Sequence, residues 1–280
     1  MGPIGWVLIV AGASCLGCWV ASLVTGDTSW VDRIWSVVPV IYLWIFAIAA
    51  IVDDEPSGRL VLMAVLVTVW GARLTFNFAR KGGYSGVEDY RWAILRGRMK
   101  PWQFQLFNMF FIVLYQNLLL VLIALPGAMA YWHPTPLNAF DIVCAIAFLA
   151  FLAIETVADQ QQWKFHQQKA RAGGHLEPGF ATTGLFRYSR HPNFFGEQGQ
   201  WWMIYCFGAS AAVASGLGFW GGVINPTIVG AVLLTLLFIG STKFTESISA
   251  SKYPAYTDYQ RATSMLIPWF PRERGAALPA

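Results

Sequence analysis

"GLFRYSRHPNFFGEQGQWW", Gly184 to Trp202, sets two arginines, a histidine, an asparagine and a glutamate at the foot of a long apolar segment. Charged groups close to hydrocarbon are costly and persist there only with partners or a function. What flanks the stretch decides the fold. The chain is 56% hydrophobic and 12% charged, against about 25% charged in an ordinary soluble domain. The sequence therefore predicts an all-α integral membrane protein.

Read in a window of about 19 residues, the chain shows apolar spans near 4–24, 34–52, 60–79, 104–130, 139–158, 200–217 and 219–241. A crossing helix needs about 20 apolar residues, so the expectation is a seven-transmembrane helix bundle forming a single membrane domain over 1–280. The join between the sixth and seventh spans, around Leu217, is short and glycine-rich. No basic stretch precedes the first span, which reads as a retained helix and not a removed signal peptide. Lys and Arg favour cytoplasmic loops. With the N-terminus outside, every Lys and Arg except Arg59 falls on the cytoplasmic side, from Arg33 through Arg73–Lys100 and Lys164–Arg190 to Lys243–Arg274. The C-terminus is then cytoplasmic, a bacterial inner membrane is the expected location, and a polar cofactor cavity should face the cytoplasm. No internal repeat or soluble domain interrupts the pattern. The net charge of +4 comes with no basic run of the kind a nucleic-acid surface needs.

Four charged constellations lie on that side. In "WGARLTFNFARKGG", Arg73, Asn77 and Lys81 recur every four residues and share a helical face. Arg80 and Lys81 suit headgroup snorkelling; Arg73, about two turns deeper, requires an internal anion or a cavity. In "GYSGVEDYRWAILRGRMKPW", Glu88, Asp89, Arg91, Arg96 and Arg98 read on spacing alone as a solvated, salt-bridged loop. In "IETVADQQQWKFHQQ", Glu155 and Asp159 stack one turn apart, and two such carboxylates repel unless cations or hydroxyl donors meet them. Ligand hydroxyls answer that need, as does a salt bridge to Arg73 or Arg190. In the opening stretch, Asn193 and Glu197 are again four apart, Pro192 suits a first helical turn, and Arg187, Arg190 and His191 precede it. Cations beside a helix N-terminus favour phosphate, while Asn and Glu one turn on suit amides and hydroxyls. A nicotinamide dinucleotide combines these groups. No Rossmann fingerprint is present, since "GGYSG" at Gly82–Gly86 has the wrong spacing.

"GLFRYSRHPNFFGEQGQWW", together with "YPAYTDYQRATSMLIPWF" near the C-terminus, resembles the C-terminal domain of the steroid 5-alpha-reductase family, in its bacterial branch of membrane proteins. The similarity runs from about Trp30 and is strongest over 155–271. "WGARLTFNFARKGGYSGVEDYRW" is also typical of that branch, which raises Glu88, Asp89 and Arg91 above a surface role. The resemblance implies seven helices around NADPH, with hydride passing to a conjugated enone. It places the cofactor asparagine and glutamate on Asn193 and Glu197, the upstream aspartate on Asp159, and the third-helix arginine on Arg73. Glu155 stands where the family has asparagine, Arg187 or Arg190 matches its basic turn position, and His191 and Tyr256 fall within the matching motifs. Two positions depart from the steroid enzymes. Their carbonyl-polarising glutamate maps to the apolar "SVVP" at Ser36–Pro39, and its partner tyrosine to Trp70. Asp32 in "SWVDRIW", or Tyr42 a few turns deeper, is then the candidate proton donor; a loop salt bridge of Asp32 with Arg33 or Arg73 is the competing reading. The implied partners are a lipophilic enone-like substrate and membrane lipid.

"RHPNFFGE" with a downstream "Y..Y" and "LIP" also resembles the isoprenylcysteine carboxyl methyltransferases, which use S-adenosylmethionine. Seven spans and the Asp159 match favour the reductase. A transporter or assembly factor would need charged groups along a path through the membrane, where Asp141, Tyr115, Gln116 and Asn117 are the main polar candidates. Cys15 and Cys18 form a C-x-x-C inside an apolar span and read as small packing residues. Cys144, Cys206 and the four histidines show no zinc-type spacing, so no metal is expected.

Overall fold

The computed structural model describes residues 1–86 and 88–272; Arg274 of the basic count lies outside them. Among the described residues the chain is helical, with two isolated β-bridges and no strand. Five helices are long and apolar enough to cross a membrane, namely Pro3–Thr25, Gly58–Arg80, Pro101–Trp132, Ala139–Arg171 and Ile228–Lys252. This marks the chain as a multi-pass membrane protein. Two further helices lie near the positions of the other two expected spans. Val38–Val52 is apolar but has 15 residues, about 22 Å of rise against a hydrocarbon layer of about 30 Å. Pro192–Ala214 has 23 residues and carries Glu197, Gln198 and Gln200 in its first turns.

The expected boundaries of the last two spans are corrected. The sixth helix starts at Pro192 and not near 200, and the seventh at Ile228 and not at 219. Hydropathy undercounted the polar first turns of one. It also ran through a loop over 215–227, where Gly216 and Gly221 take positive φ and Asn225 accepts from the Thr227 amide and hydroxyl.

The chain divides into two compact units, Met1–Ile146 with Trp201–Leu234, and Ala147–Gln200 with Thr235–Ala280. In the first, α1 (Pro3–Thr25) is followed by a short α2 (Trp30–Ile34), α3 (Val38–Val52) and α4 (Gly58–Arg80). Then come α5 (Tyr90–Arg98) and α6 (Pro101–Phe107), a π-helical stretch (Asn108–Tyr115), α7 (Gln116–Ala124) and α8 (Pro126–Trp132). The apolar α3 sits centrally, packed on α1, α4, α7 and α8, with Leu43 and Phe46 fully buried. Gly71 lets α4 meet the turn before α3, since a Cβ there would stand 2.4 Å from the Ser36 carbonyl oxygen. Arg59, the one cation expected outside beside Asp53 and Asp54, instead turns inward. It is fully buried against Asp141 (Nη2–Oδ2 2.8 Å, Nε–Oδ1 3.0 Å), and its remaining N–H groups go to Thr135 and the Pro136 carbonyl.

The second unit takes the later part of α9 (Ala139–Arg171), a 3-10 turn (Gly184–Arg187), the start of α10 (Pro192–Ala214), the end of α11 (Ile228–Lys252) and α12 (Tyr256–Ala262). The segment after α12 returns along the 3-10 turn. There the Arg190 amide donates to the Ser264 carbonyl at 2.8 Å and the Trp269 amide to the Tyr188 carbonyl at 2.9 Å. Phe180 packs between Tyr256 and Tyr259, and the Tyr259 hydroxyl donates to the Phe186 carbonyl.

Candidate functional site

The acidic cluster of the second unit is built by a close helix crossing. Gly196 and Gly199 face α9: a Cβ on Gly196 would stand 2.7 Å from the Phe151 carbonyl oxygen and 2.8 Å from the Glu155 Cβ. That approach brings the buried stripe Leu152, Glu155 and Asp159, spaced three and four apart, against the first turns of α10. Glu155, Asp159 and Glu197 are each 4% exposed. Gln200 donates from Nε2 to Glu155 Oε2 at 2.7 Å, and Asn193 from Nδ2 to Asp159 Oδ1 at a long 3.4 Å. The Gln200 Oε1, also buried, accepts from no protein group. Of the residues singled out in the sequence, Glu155, Asp159 and Asn193 thus come together at the crossing, and Glu197 is buried one turn after Asn193. Gln200 joins them, and it was passed over although it closes the same "GEQGQ" run.

The basic residues of the opening stretch separate by role. Arg190 grips Glu246 of α11 (Nε–Oε1 2.6 Å, Nη2–Oε2 3.0 Å) and donates to the Gln260 carbonyl at 2.9 Å and to that of Thr263. His191 Nε2 lies 3.0 Å from Glu246 Oε1, and Gln260 Nε2 donates to Glu246 Oε2 at 2.9 Å. Glu246 is therefore a hub that the sequence reading missed. The available signal was a carboxylate near the C-terminal end of an apolar helix, which requires a named partner. Arg190 thus pairs with Glu246. Arg187 stands exposed at the end of its 3-10 turn. Tyr256 is buried in the aromatic group around Phe180.

In the first unit, Arg73 lies half-buried on α4, one turn after the fully buried Trp70, whose ring meets Trp201 edge to face at 4.9 Å. Glu88 and Asp89 clasp the α1–α2 connection. Glu88 accepts from the Thr28 amide (3.0 Å) and hydroxyl (2.8 Å) and from both Nη atoms of Arg96, which together hold its carboxyl below the usual carboxylate range despite partial burial. Asp89 caps α5, takes Arg91 side-on at 2.6 Å, and donates its own amide to Ser29 Oγ. Arg33 pairs with Asp27 at 2.5 Å and reaches the Gly83 carbonyl, so the Asp32–Arg33 bridge of the competing reading does not form. Asp32 instead accepts from the Trp92 indole at 3.1 Å. Burial, reinforced by the Asp89 charge, pushes its carboxyl up to about 6. Tyr42 is fully buried on α3, and its hydroxyl meets no hydrogen-bonding protein group.

These features define a polytopic helical membrane protein with a buried acidic cluster where two helices cross. The chain belongs to the family described as protein of unknown function (DUF1295), whose model matches residues 18–263. An uncharacterised protein of Schizosaccharomyces pombe is 38% identical over 266 residues, covering 89% of this chain and 75% of that relative. No solved structure matches the chain.

Proposed function

We propose that the protein is a membrane-embedded, NADPH-dependent reductase that passes a hydride to an activated carbon–carbon double bond of a lipophilic, enone-like substrate. One observation carries the reading. Three buried carboxylates and an acceptor without a donor, Gln200 Oε1, gather at one helix crossing. The Gln200 acceptor, set beside these carboxylates, suits a ligand that brings hydrogen-bond donors, because a buried acceptor left unmet is penalised. Ribose hydroxyls and a carboxamide NH2 provide those donors, so the residues present fit a nicotinamide nucleotide. The likeness of the flanking motifs to the steroid 5-alpha-reductases supports the same reading.

In this proposal Glu155, Asp159, Asn193, Glu197 and Gln200 receive hydroxyl and amide groups of NADPH, while Arg187 meets phosphate. Arg190 and His191, tied to Glu246, fix the start of α10 so that Asn193 and Glu197 project at a constant angle. NADPH, when bound, supplies the hydride. A proton must also reach the product, and the chain offers two donors. Asp32 keeps a protonated fraction near neutral pH because of its raised pKa, and Tyr42 holds a buried hydroxyl with no competing protein partner. Around this chemistry we infer seven spans with the N-terminus outside, supported by the basic-residue asymmetry.

Titration of the purified protein in detergent with NADPH and, separately, with S-adenosylmethionine tests the proposal. Saturable NADPH binding, followed by NADPH oxidation with a panel of lipophilic enones, is expected. Binding of S-adenosylmethionine alone would replace the reductase with a methyltransferase, and binding of neither would point to transport or assembly.

A further inference from the structure

A second set of polar groups lies inside the first unit, far along the chain from the acidic cluster. On α1, Cys15, Cys18 and Ser22 follow one another at three and four residues and so share a face. That helix packs on α3, on the π-helical stretch and on α7. Asn108 begins the π-helical stretch and donates to Ser22 Oγ at 3.0 Å; Asn117, in the first turn of α7, donates to the carbonyl of Val113, which packs in one buried cluster with Cys18. Tyr42 lies on α3, which packs on both α1 and α7. The carboxamide oxygens of Asn108 and Asn117 and the Tyr42 hydroxyl are all buried, and all three meet no hydrogen-bonding protein group. Native interiors keep such groups few, and each calls for a partner from elsewhere. Internal water occupies sites with several polar partners of this kind. A π-helical stretch, which widens a helix and leaves its backbone pairing irregular, recurs at functional positions.

We propose that α1, α3 and the π-helical stretch enclose a hydrated seam, running from Asn108 and Ser22 past Cys18 and Asn117 to the Tyr42 hydroxyl, whose ligands are water or another small hydroxyl donor. Its waters donate to the two carboxamide oxygens and keep the Tyr42 proton in exchange with the α1–α2 end of the unit. Ser22 lies less than one turn before Thr25–Ser29, where Asp27, Thr28 and Ser29 meet Arg33, Glu88 and the Asp89 amide. The inference does not depend on the reductase reading.

Hydroxyl-radical footprinting of the whole protein in detergent, read by mass spectrometry, tests it, because radicals formed from bound water oxidise the side chains beside that water. Cys144 serves as the comparison thiol, since it is about as buried as Cys18, 2% against 5% exposed. Cys18 should be oxidised clearly faster than Cys144. Tyr42 should likewise be modified while the equally buried Phe46 on its helix is spared. Asn117→Leu, or Asn108→Leu should the first variant fold poorly, should bring Cys18 down to the Cys144 rate. Equal rates for Cys18 and Cys144 in the wild-type protein would overturn the proposal, as would a Cys18 rate indifferent to both substitutions. Addition of a short-chain alcohol that slows Cys18 without altering Cys144 would identify the second kind of occupant.

Discussion

Arg190 and Glu246 are joined side-on by two hydrogen bonds, 2.6 Å from Nε to Oε1 and 3.0 Å from Nη2 to Oε2, and both side chains are at least nine-tenths buried. The pair ties the turn before α10 to the C-terminal end of α11 and, through the Gln260 and Thr263 carbonyls, to the C-terminal segment. Breaking one side strands the other charge. Glu246→Ala should destabilise the fold by about 3 to 5 kcal/mol, seen as a lowered Tm in detergent. Glu246→Gln, which keeps an acceptor for Arg190, should lose less. Equal Tm values for Glu246→Ala and the wild type would show that the hub carries no weight.

Asn193 and Glu197 are the direct test of the acidic cluster as a nucleotide site. Replacing either by Ala should weaken NADPH binding by about 1 to 3 kcal/mol, the penalty for one ligand group left without its partner. Fluorescence titration measures it. Arg187→Ala should weaken binding more at low than at high ionic strength, because an exposed cation is screened by salt.

The crossing of α9 and α10 leaves no room at Gly196. Gly196→Val must push Phe151 or Glu155 aside, and overpacking of this kind costs about 1 to 3 kcal/mol. Gly240→Ala on α11, where an added Cβ meets nothing within 4 Å, should instead be neutral or stabilising by up to about 1 kcal/mol. Thermal melts of the two variants should move in opposite directions or differ clearly in size.

Asp32 gives a pH dependence of definite sign. Its folded-state pKa, about 6, lies above the ordinary 3.8, so the folded chain holds this proton more tightly than the unfolded chain does. The contribution to stability is largest below about pH 4 and declines as pH rises through 6. Glu88 works the other way, because its lowered pKa favours the folded state above its ordinary 4.5 and that support is lost in acid. Asp32→Asn should flatten the slope between pH 4 and 6 while leaving the loss at lower pH in place. An unchanged slope between pH 4 and 6 would show that Asp32 does not titrate as described.

The helical membrane class was legible from composition, and five crossing helices from hydropathy, because lipid-facing residues such as Ile142, Val143 and Ile146 must be apolar wherever they stand. The edges of α10 and α11 were not legible. Glu197, Gln198 and Gln200 are polar within a helix because another helix covers them, and a window average cannot register that cover. Within the candidate site, helical spacing predicted the faces of Glu155 with Asp159 and of Asn193 with Glu197, since i to i+4 is a local rule. It did not predict that Arg190 would turn to Glu246, a residue 56 positions away, or that Arg59 would be buried against Asp141, 82 positions away. Charge partners at such separations are set by tertiary packing.

The π-helical stretch also fixes the phase of everything after it. An α-helix advances about 100° per residue, so a residue accommodated in a widened turn rotates the following segment by that angle relative to an uninterrupted helix. α7 and α8 present their faces to α3 at an azimuth that Asn108–Tyr115 determines, including Gly127, where a Cβ would fall 2.7 Å from Leu43 Cδ2. Removing one residue from 108–115 would let the helix rewind with Asn117 still toward α1 and Gly127 still toward Leu43, whereas adding one would turn both away by about 100°. The widened turn thus absorbs one residue of length, and a single deletion within 108–115 should be better tolerated than a single insertion there.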